Sequence, residues 1–422
     1  MVHVVGAGLA GLSTAVRIAA SGRRVAVYEG AGQAGGRCRS YEDARLGRRI
    51  DNGNHLVLSG NHAALAYLDL IGSKDQLRDS SEPVFPFVDL ATDERWAVRP
   101  NSGPIPWWIF VPSRRIPGTG VGDYLRGAAL ALAGPQETVA DSVPAEGTMV
   151  DRFWDPFTIG VMNAPMEASS AMLLWTVIRE TFGRGGQSCI PQFFRHGLAD
   201  AFVDPAVAFI RERGGSVVFN ERLSALECDD RSVTALIFQN KTVSVGPSDS
   251  VVLSVSPSQL AALLPSIRVP KQDGVIVNAH FRVDPSLMPD SDPPFLGVLN
   301  GATQWIFLRD DLISLTISAA GALGLDRDRE DAMLPRLWDE VVKALQLPDG
   351  ADFEAGRIVK EKRATFDQSP AAVGDRPGTS TTWRNLFLAG DVTDTGLPAT
   401  IEGAIRSGER AAQIALKMRV EG

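Results

Sequence analysis

Cysteine is scarce in this chain of 422 residues. The three cysteines, Cys38, Cys189 and Cys228, are odd in number and have no Cys-x-x-Cys spacing. Neither a disulfide framework nor a thiolate metal site is therefore expected. Histidine is also sparse: His3, His55, His62, His196 and His280 stand apart and form no zinc constellation, so no metal is expected. Basic charge is in deficit, with 42 Lys and Arg against 50 Asp and Glu and a formal net charge of −8. That balance argues against a phosphate-backbone partner, and no nucleic acid is expected. No apolar run reaches the ~18 residues of a spanning helix. The first residues lack the charged region and cleavage site of a secretory leader, so a cytoplasmic protein is expected. What is left is 44% hydrophobic and 22% charged, an ordinary globular balance in a chain long enough for two or three cores.

The opening residues read strand, glycine turn, helix, strand. Val2–Val5 is apolar, Gly6-Ala7-Gly8-Leu9-Ala10-Gly11 follows, Leu12–Ala20 has helical character, and Arg24–Glu29 is the second strand. This is the βαβ unit of a doubly wound sheet. Gly6 permits the tight turn, Gly8 lets the backbone approach a pyrophosphate, and Gly11 allows close helix–strand packing. The helix N-terminus then favours phosphate, and Glu29 offers a carboxylate to the adenosine ribose. From Pro83 to Arg195 the character changes, with Pro and Trp in quantity, a strand pair around Val84–Val98, and helices around Tyr124–Ala133 and Ala168–Phe182. The α/β pattern returns with a helix over Ala201–Arg213 and strands at Ser216–Phe219 and Val251–Ser254. A second excursion runs from Pro257 to Thr379. The end reads strand, glycine, helix over Leu386–Asp391 and Thr400–Met418. The expected fold class is α/β: a Rossmann-like nucleotide-binding domain in three segments (1–82, 196–256 and 380–422) with an inserted α+β substrate domain (83–195 and 257–379).

The glycine turn does not separate FAD from NAD. The next segment does: Gly35-Gly36-Arg37 allows the chain to cross the dinucleotide, with Arg37 able to reach its pyrophosphate. This stretch resembles that of the amine oxidase and phytoene desaturase superfamily of flavoproteins, and Gly390-Asp391 after an apolar strand is similar to the superfamily's Gly-Asp motif. The resemblance implies FAD, held by Gly6, Gly8, Ala10, Gly11, Glu29, Gly35, Gly36, Arg37, Leu223, Gly390, Asp391, Thr400, Ile401 and Ala404. Asp51-Asn52-Gly53-Asn54-His55-Leu56, Phe153-Trp154-Asp155-Pro156, Asn163-Ala164-Pro165 and the whole of Gly390–Ala404 further resemble the hydroxysqualene dehydroxylases of bacterial hopanoid pathways. That family reduces hydroxysqualene to squalene with FAD. The chain departs from it at Asn54, where glutamine is commoner, at Val392, where tryptophan is, and along Trp107–Gly122.

The resemblance implies an apolar isoprenoid substrate and a greasy tunnel with few polar anchors. Wall candidates are Trp154, Phe157, Met162, Met166, Met172, Trp175, Trp305 and Phe307. Removing an allylic hydroxyl needs a proton donor; His55 and Asp155 are the candidates as catalytic residues, with Asp51 a third. No second nucleotide motif is evident, so NAD(P)H as electron donor would bind transiently. Pro104–Arg115 combines a Trp pair with two arginines, the composition of a peripheral membrane contact through Trp107–Arg115 at the inner face. Three alternatives stay open. A carotenoid desaturase would run the same fold oxidatively. An amine oxidase is disfavoured by the absence of Cys, Tyr and Trp from Asn385–Ala404. A lipid-binding module without FAD is disfavoured by the intact motif.

Overall fold

The computed structural model describes residues 1–80 and 82–418; Ser81, within the expected segment 1–82, and the last four residues of the segment 380–422 lie outside the described residues. The nucleotide-type sheet has five parallel strands in the order Ser216–Val218, Val25–Tyr28, Val2–Val5, Ser250–Leu253 and Leu386–Leu388. Its central strands are buried along their whole length, as expected for a parallel sheet covered on both faces. Helix Leu9–Ala20 covers one face and packs along the C-terminal helix Ile401–Lys417. The two helices touch backbone to backbone: a Cβ on Gly408 would lie 2.2 Å from the carbonyl oxygen of Ala10. Ser13 Oγ donates to Ile405 O at 3.0 Å and Thr14 Oγ1 to Gly408 O at 3.1 Å, so the small residues of both helices lock the packing.

A second sheet has seven strands, in the order Ala355–Thr365, Gly274–Arg282, Leu312–Ile317, Trp305–Arg309, Phe295–Leu299, Phe85–Asp89 and Arg95–Val98. One face carries helix Glu330–Leu345, whose Leu334, Leu337, Trp338 and Val341 meet Val277, Phe281 and Leu315. The other face meets the helical stretch between residues 121 and 182, with Phe85, Phe295 and Trp305 against Trp154, Met162 and Leu174. Strand Pro191–Phe194 runs between Val57–Leu58 and Leu77–Asp79 and so ties the two regions together.

Three helices differ from their sequence expectation. The one around Tyr124–Ala133 is α-helical only over Val121–Arg126 and tightens to 3-10 geometry over Gly127–Leu132. There Gly127 abuts the Trp154 ring so closely that a Cβ would sit 2.3 Å from it. The helix expected over Ala201–Arg213 is two, Leu198–Phe202 and Asp204–Glu212, because Pro205 can only occupy a first turn. The helix expected over Ala168–Phe182 covers Ala171–Glu180.

Candidate flavin site and substrate region

The glycine turn is built as a phosphate cradle. Gly6 has φ +99°, and a Cβ there would lie 2.2 Å from Ser254 O, so only glycine fits. Beyond Gly8 the space is open, with nothing within 4 Å of where a Cβ would stand. The following helix has Gly8 as its N-cap, no capping side chain and no acid in its first turn, so its first amides are left for an anion. Glu29 sits at the end of the second strand and takes hydrogen bonds from Ala7 N at 2.7 Å and Ala31 N at 2.8 Å. Those bonds fix the carboxylate and leave lone pairs on both oxygens for ribose hydroxyls. Ala10 is buried against Gly408. Leu223 packs its side chain beside Val5 and Tyr28, so only its main chain is left to face a cofactor.

Two residues taken from the sequence as separate cofactor ligands meet each other. Arg37 Nη1 and Nη2 donate to Asp391 Oδ2 and Oδ1 at 2.8 and 2.6 Å, and Nη1 also donates to Ala364 O at 2.6 Å. Burial opposes the charge on Arg37, but the Asp391 carboxylate outweighs it and raises the guanidinium pKa. Gly35 N donates to Ala7 O at 2.8 Å, which lays the Gly35–Arg37 crossing over the glycine turn. Gly390 N is held by Ser407 Oγ at 2.8 Å, and Thr400 caps the last helix through Gly403 N at 3.0 Å, with Ile401 and Ala404 in its first turn. The pair thus staples the first and last flavin segments together.

His55 lies four residues after Asp51 with its ring exposed. Desolvation by the surrounding protein pushes its pKa below the usual 6.5, with Asp51 opposing and Arg37 adding to the shift. The loop carrying His55 is nailed down on both sides. Asn54 Nδ2 donates to Leu315 O at 3.0 Å and Thr316 Oγ1 at 3.1 Å, and Thr316 Oγ1 donates to Asn278 Oδ1 at 3.0 Å. Asp51 is 4% exposed and binds Ser40 Oγ at 2.5 Å, Leu198 N at 2.9 Å and Arg309 Nη1 at 2.8 Å. It anchors the loop.

A model of the family described as flavin containing amine oxidoreductase matches residues 9–416. The hydroxysqualene dehydroxylase of Zymomonas mobilis is 41% identical over 414 residues, covering 98% of each chain. That of Rhodopseudomonas palustris is 43% identical over 416 residues, again 98% of each. The chain belongs to the flavin-containing amine oxidoreductases and, within them, to the hydroxysqualene dehydroxylase family. A 15-cis-phytoene desaturase of an Oncidium hybrid is more distant, at 25% identity over 472 residues, 98% of this chain and 77% of the other. Cyclohexylamine oxidase from Brevibacterium oxydans has the same fold, with TM-score 0.73, 15% identity and 99% of both chains covered. The cradle, the open space beyond Gly8 and the Arg37–Asp391 staple fit the flavin of this family.

In this hydroxysqualene dehydroxylase relative the second proton-donor candidate is elsewhere. Asp155 opens helix Asp155–Met162, and burial, then Glu167 and Asp151, raise its pKa. Its charged neighbours are none of those around His55, so the two candidates are not one dyad. Of the wall candidates, Trp154, Met162 and Met166 are buried, while Phe157, Trp175, Trp305 and Phe307 are half-buried around the same aromatic cluster. Met172 is a correction: it faces solvent, because its position on the amphipathic helix Ala171–Glu180 is opposite Leu173 and Leu174.

Sequence reasoning passed over Gln368, which is 2% exposed. Its Nε2 donates to Met162 O at 2.5 Å, its Oε1 accepts from Ala399 N at 2.8 Å, and its carbonyl accepts from Ser170 N at 2.9 Å. Asn163, next to Met162, binds Thr365 Oγ1 and Ala319 N. Met162, just before the Asn163–Pro165 motif, and Ala399 of the Gly390–Ala404 segment are therefore joined through one side chain. Nothing in the local sequence around Gln368 signals this. Among the described residues no group of His, Cys, Asp or Glu is arranged to hold a metal, and no helix is long and apolar enough to cross a membrane.

Proposed function

We propose that the chain is an FAD-dependent oxidoreductase that reduces hydroxysqualene to squalene. Likeness along nearly the whole chain to hydroxysqualene dehydroxylases carries this reading. In the reaction the allylic C–O bond breaks, the hydroxyl leaves as water with an added proton, and the carbon takes a hydride. Bound FAD, when reduced, supplies the hydride, and NAD(P)H binding transiently is the donor we assign to it. The chain's own residues hold and orient. The cradle of Gly6, Gly8 and Gly11 takes the pyrophosphate, Glu29 the ribose, and the Arg37–Asp391 staple closes over the flavin segments. Segments 1–82, 196–256 and 380–422 form the FAD-binding domain and 83–195 with 257–379 the substrate domain; the separate five- and seven-stranded sheets support this division, while the three-stranded sheet around Pro191–Phe194 takes strands from both.

We assign the proton to His55. Its open ring near Arg37 and Asp51 and its lowered pKa support the role, since imidazolium there is a stronger acid than free histidine. Asp155 is the second candidate, supported by a carboxyl held protonated to higher pH than usual. Peripheral contact with the membrane through Trp107–Arg115 would bring the enzyme to a substrate that water does not dissolve. Anaerobic incubation of the yellow protein with hydroxysqualene and NADPH tests the activity, squalene being the expected product. No conversion, together with oxidation of a carotenoid precursor, would favour the desaturase alternative.

A further inference from the structure

Six of the seven strongly exposed large apolar side chains among the described residues fall on neighbouring elements. They are Ile105 at 75% exposure, Trp107 at 48%, Phe110 at 65%, Leu125 at 60%, Leu132 at 88% and Met172 at 47%. The first three lie on and beside the turn Trp107–Phe110, which packs on helix Val121–Arg126 through Trp108 and Tyr124, their rings 5.2 Å apart. Leu132 ends the 3-10 segment that continues this helix, and that segment packs on helix Ala171–Glu180, which carries Met172. Only Trp107 of the Trp pair points outward. Trp108 is half-buried against Tyr124, and its amide donates to Asn101 Oδ1 at 3.3 Å.

The charge around Ile105, Trp107, Phe110 and Leu125 runs against that of the molecule, while Glu137 and Asp141 lie nearer Leu132 and Met172. From Arg99 to Gly134 there are four arginines and one acid, Asp123, in a chain of net charge −8. Asp123 is committed to Gly120 N and Arg126. Arg114 lies over the Trp107 ring, 4.9 Å from its centre, and neither Arg114 nor Arg115 has a carboxylate partner among the described residues. An apolar face with unpaired arginines beside it matches a surface that is greasy below and anionic at its rim. A second copy docking by this same face would bring the same arginines and no counter-charge for them.

We propose that this face, Ile105, Trp107, Phe110, Leu125, Leu132 and Met172 with Arg114 and Arg115, docks the protein on an anionic lipid bilayer. It extends past the Trp107–Arg115 segment to two further elements, and it rests on the reading of the substrate as a water-insoluble isoprenoid. The helix Ala171–Glu180 presents Met172 to the bilayer and Leu173 and Leu174 to the aromatic core, so one element borders both lipid and substrate region. Wedging the apolar side chains into the headgroup layer supplies the hold, and the arginines select anionic lipid.

The test is co-sedimentation of the flavin-loaded full chain with phosphatidylcholine vesicles, with and without phosphatidylglycerol. Wild type should pellet with the anionic vesicles at least tenfold more strongly than with phosphatidylcholine alone. Phe110→Asp/Leu132→Asp should lose at least tenfold of that binding, and Arg114→Gln/Arg115→Gln should lose the preference for anionic lipid. Both variants should keep their flavin and their turnover on substrate presented in detergent micelles. Wild type remaining in the supernatant, or variants pelleting like wild type, would overturn the proposal. So would a dimer without vesicles that Phe110→Asp/Leu132→Asp converts to monomer, since a second copy would then cover the face. Vesicle binding is read without turnover, so a chain that pellets as expected but never converts hydroxysqualene fails the proposed reaction and not the docking.

Discussion

At the scale of single residues, His55 and Asp51 show how position divides two neighbours on one loop. Asp51 accepts three hydrogen bonds and fixes the loop, whereas His55 has no hydrogen-bond partner among the described residues and an exposed ring. If His55 gives the proton, only the imidazolium form works, and its pKa lies below the usual 6.5 because burial disfavours the charge. Turnover should therefore fall as pH rises, with a midpoint below 6.5 in the substrate-saturated enzyme. His55→Gln should lower kcat by about 10²-fold or more and abolish this limb while the flavin spectrum stays intact. A His55→Gln profile that keeps the wild-type limb would move the proton to another group. The same change at Asp155 serves as comparison: Asp155→Asn should leave the limb in place if His55 alone donates.

At the scale of elements, Gln368 joins the end of helix Asp155–Met162 to the turn before the C-terminal helix. Gln368→Met keeps the volume and removes both bonds, leaving Met162 O and Ala399 N buried without partners, at about 1–3 kcal/mol each. Gln368→Glu keeps an acceptor for Ala399 N and loses the donor to Met162 O. The expected result is a split: Gln368→Met releases FAD several-fold faster and raises KM, whereas Gln368→Glu raises KM alone. FAD dissociation followed by fluorescence, beside steady-state KM, separates the two, and equal flavin loss in both would show that the side chain merely fills space.

Elements were legible in the sequence where local pattern decides them. The strand–glycine–helix opening, the C-terminal Gly390-Asp391 turn and the strand pair around Val84–Val98 follow from apolar runs and punctuation by glycine, and the structure has them to within three residues, whereas strands Phe295–Leu299 and Ala355–Thr365 carry no such local signal. Helices were misjudged where a distant contact or a single proline intervenes, as at Gly127 against Trp154 and at Pro205. The candidate site was legible as motifs but not as a geometry. That Arg37 grips Asp391, or that Gln368 joins Met162 to Ala399, depends on residues more than thirty positions apart, and no local period encodes such a contact. Met172 belongs to the same class: an apolar residue on a helix reads as wall until the fold decides which side faces out.

At the scale of the whole molecule, the nucleotide-type sheet and the helical substrate region are clasped by Arg406. From the C-terminal helix it binds Glu180 on helix Ala171–Glu180 and Glu402 one turn before it, at 2.9 Å. Glu402 is 4% exposed and also accepts from Ala63 N at 3.0 Å and Ala64 N at 2.8 Å. Its carboxylate thus caps helix His62–Leu70, which its own N-cap Asn61 leaves without a side-chain bond. Arg406→Ala would remove the cation that binds both carboxylates and leave Glu180 only the weaker influence of Arg184 and Arg179, a loss of about 2–3 kcal/mol for a clasp that is largely but not wholly sealed from water. The expected measurement is a melting temperature several degrees lower at pH 7. The pH dependence follows from Glu180. Burial raises its pKa, but the bonds and charge of Arg406 outweigh that and hold it below the usual 4.5. A depressed carboxylate pKa contributes stability that is full above 4.5 and is lost as pH falls through the folded value. Wild type and Arg406→Ala should therefore differ most near neutrality and converge below pH 4.5, and a difference that persists unchanged into acid would mean that the clasp holds by packing rather than by charge.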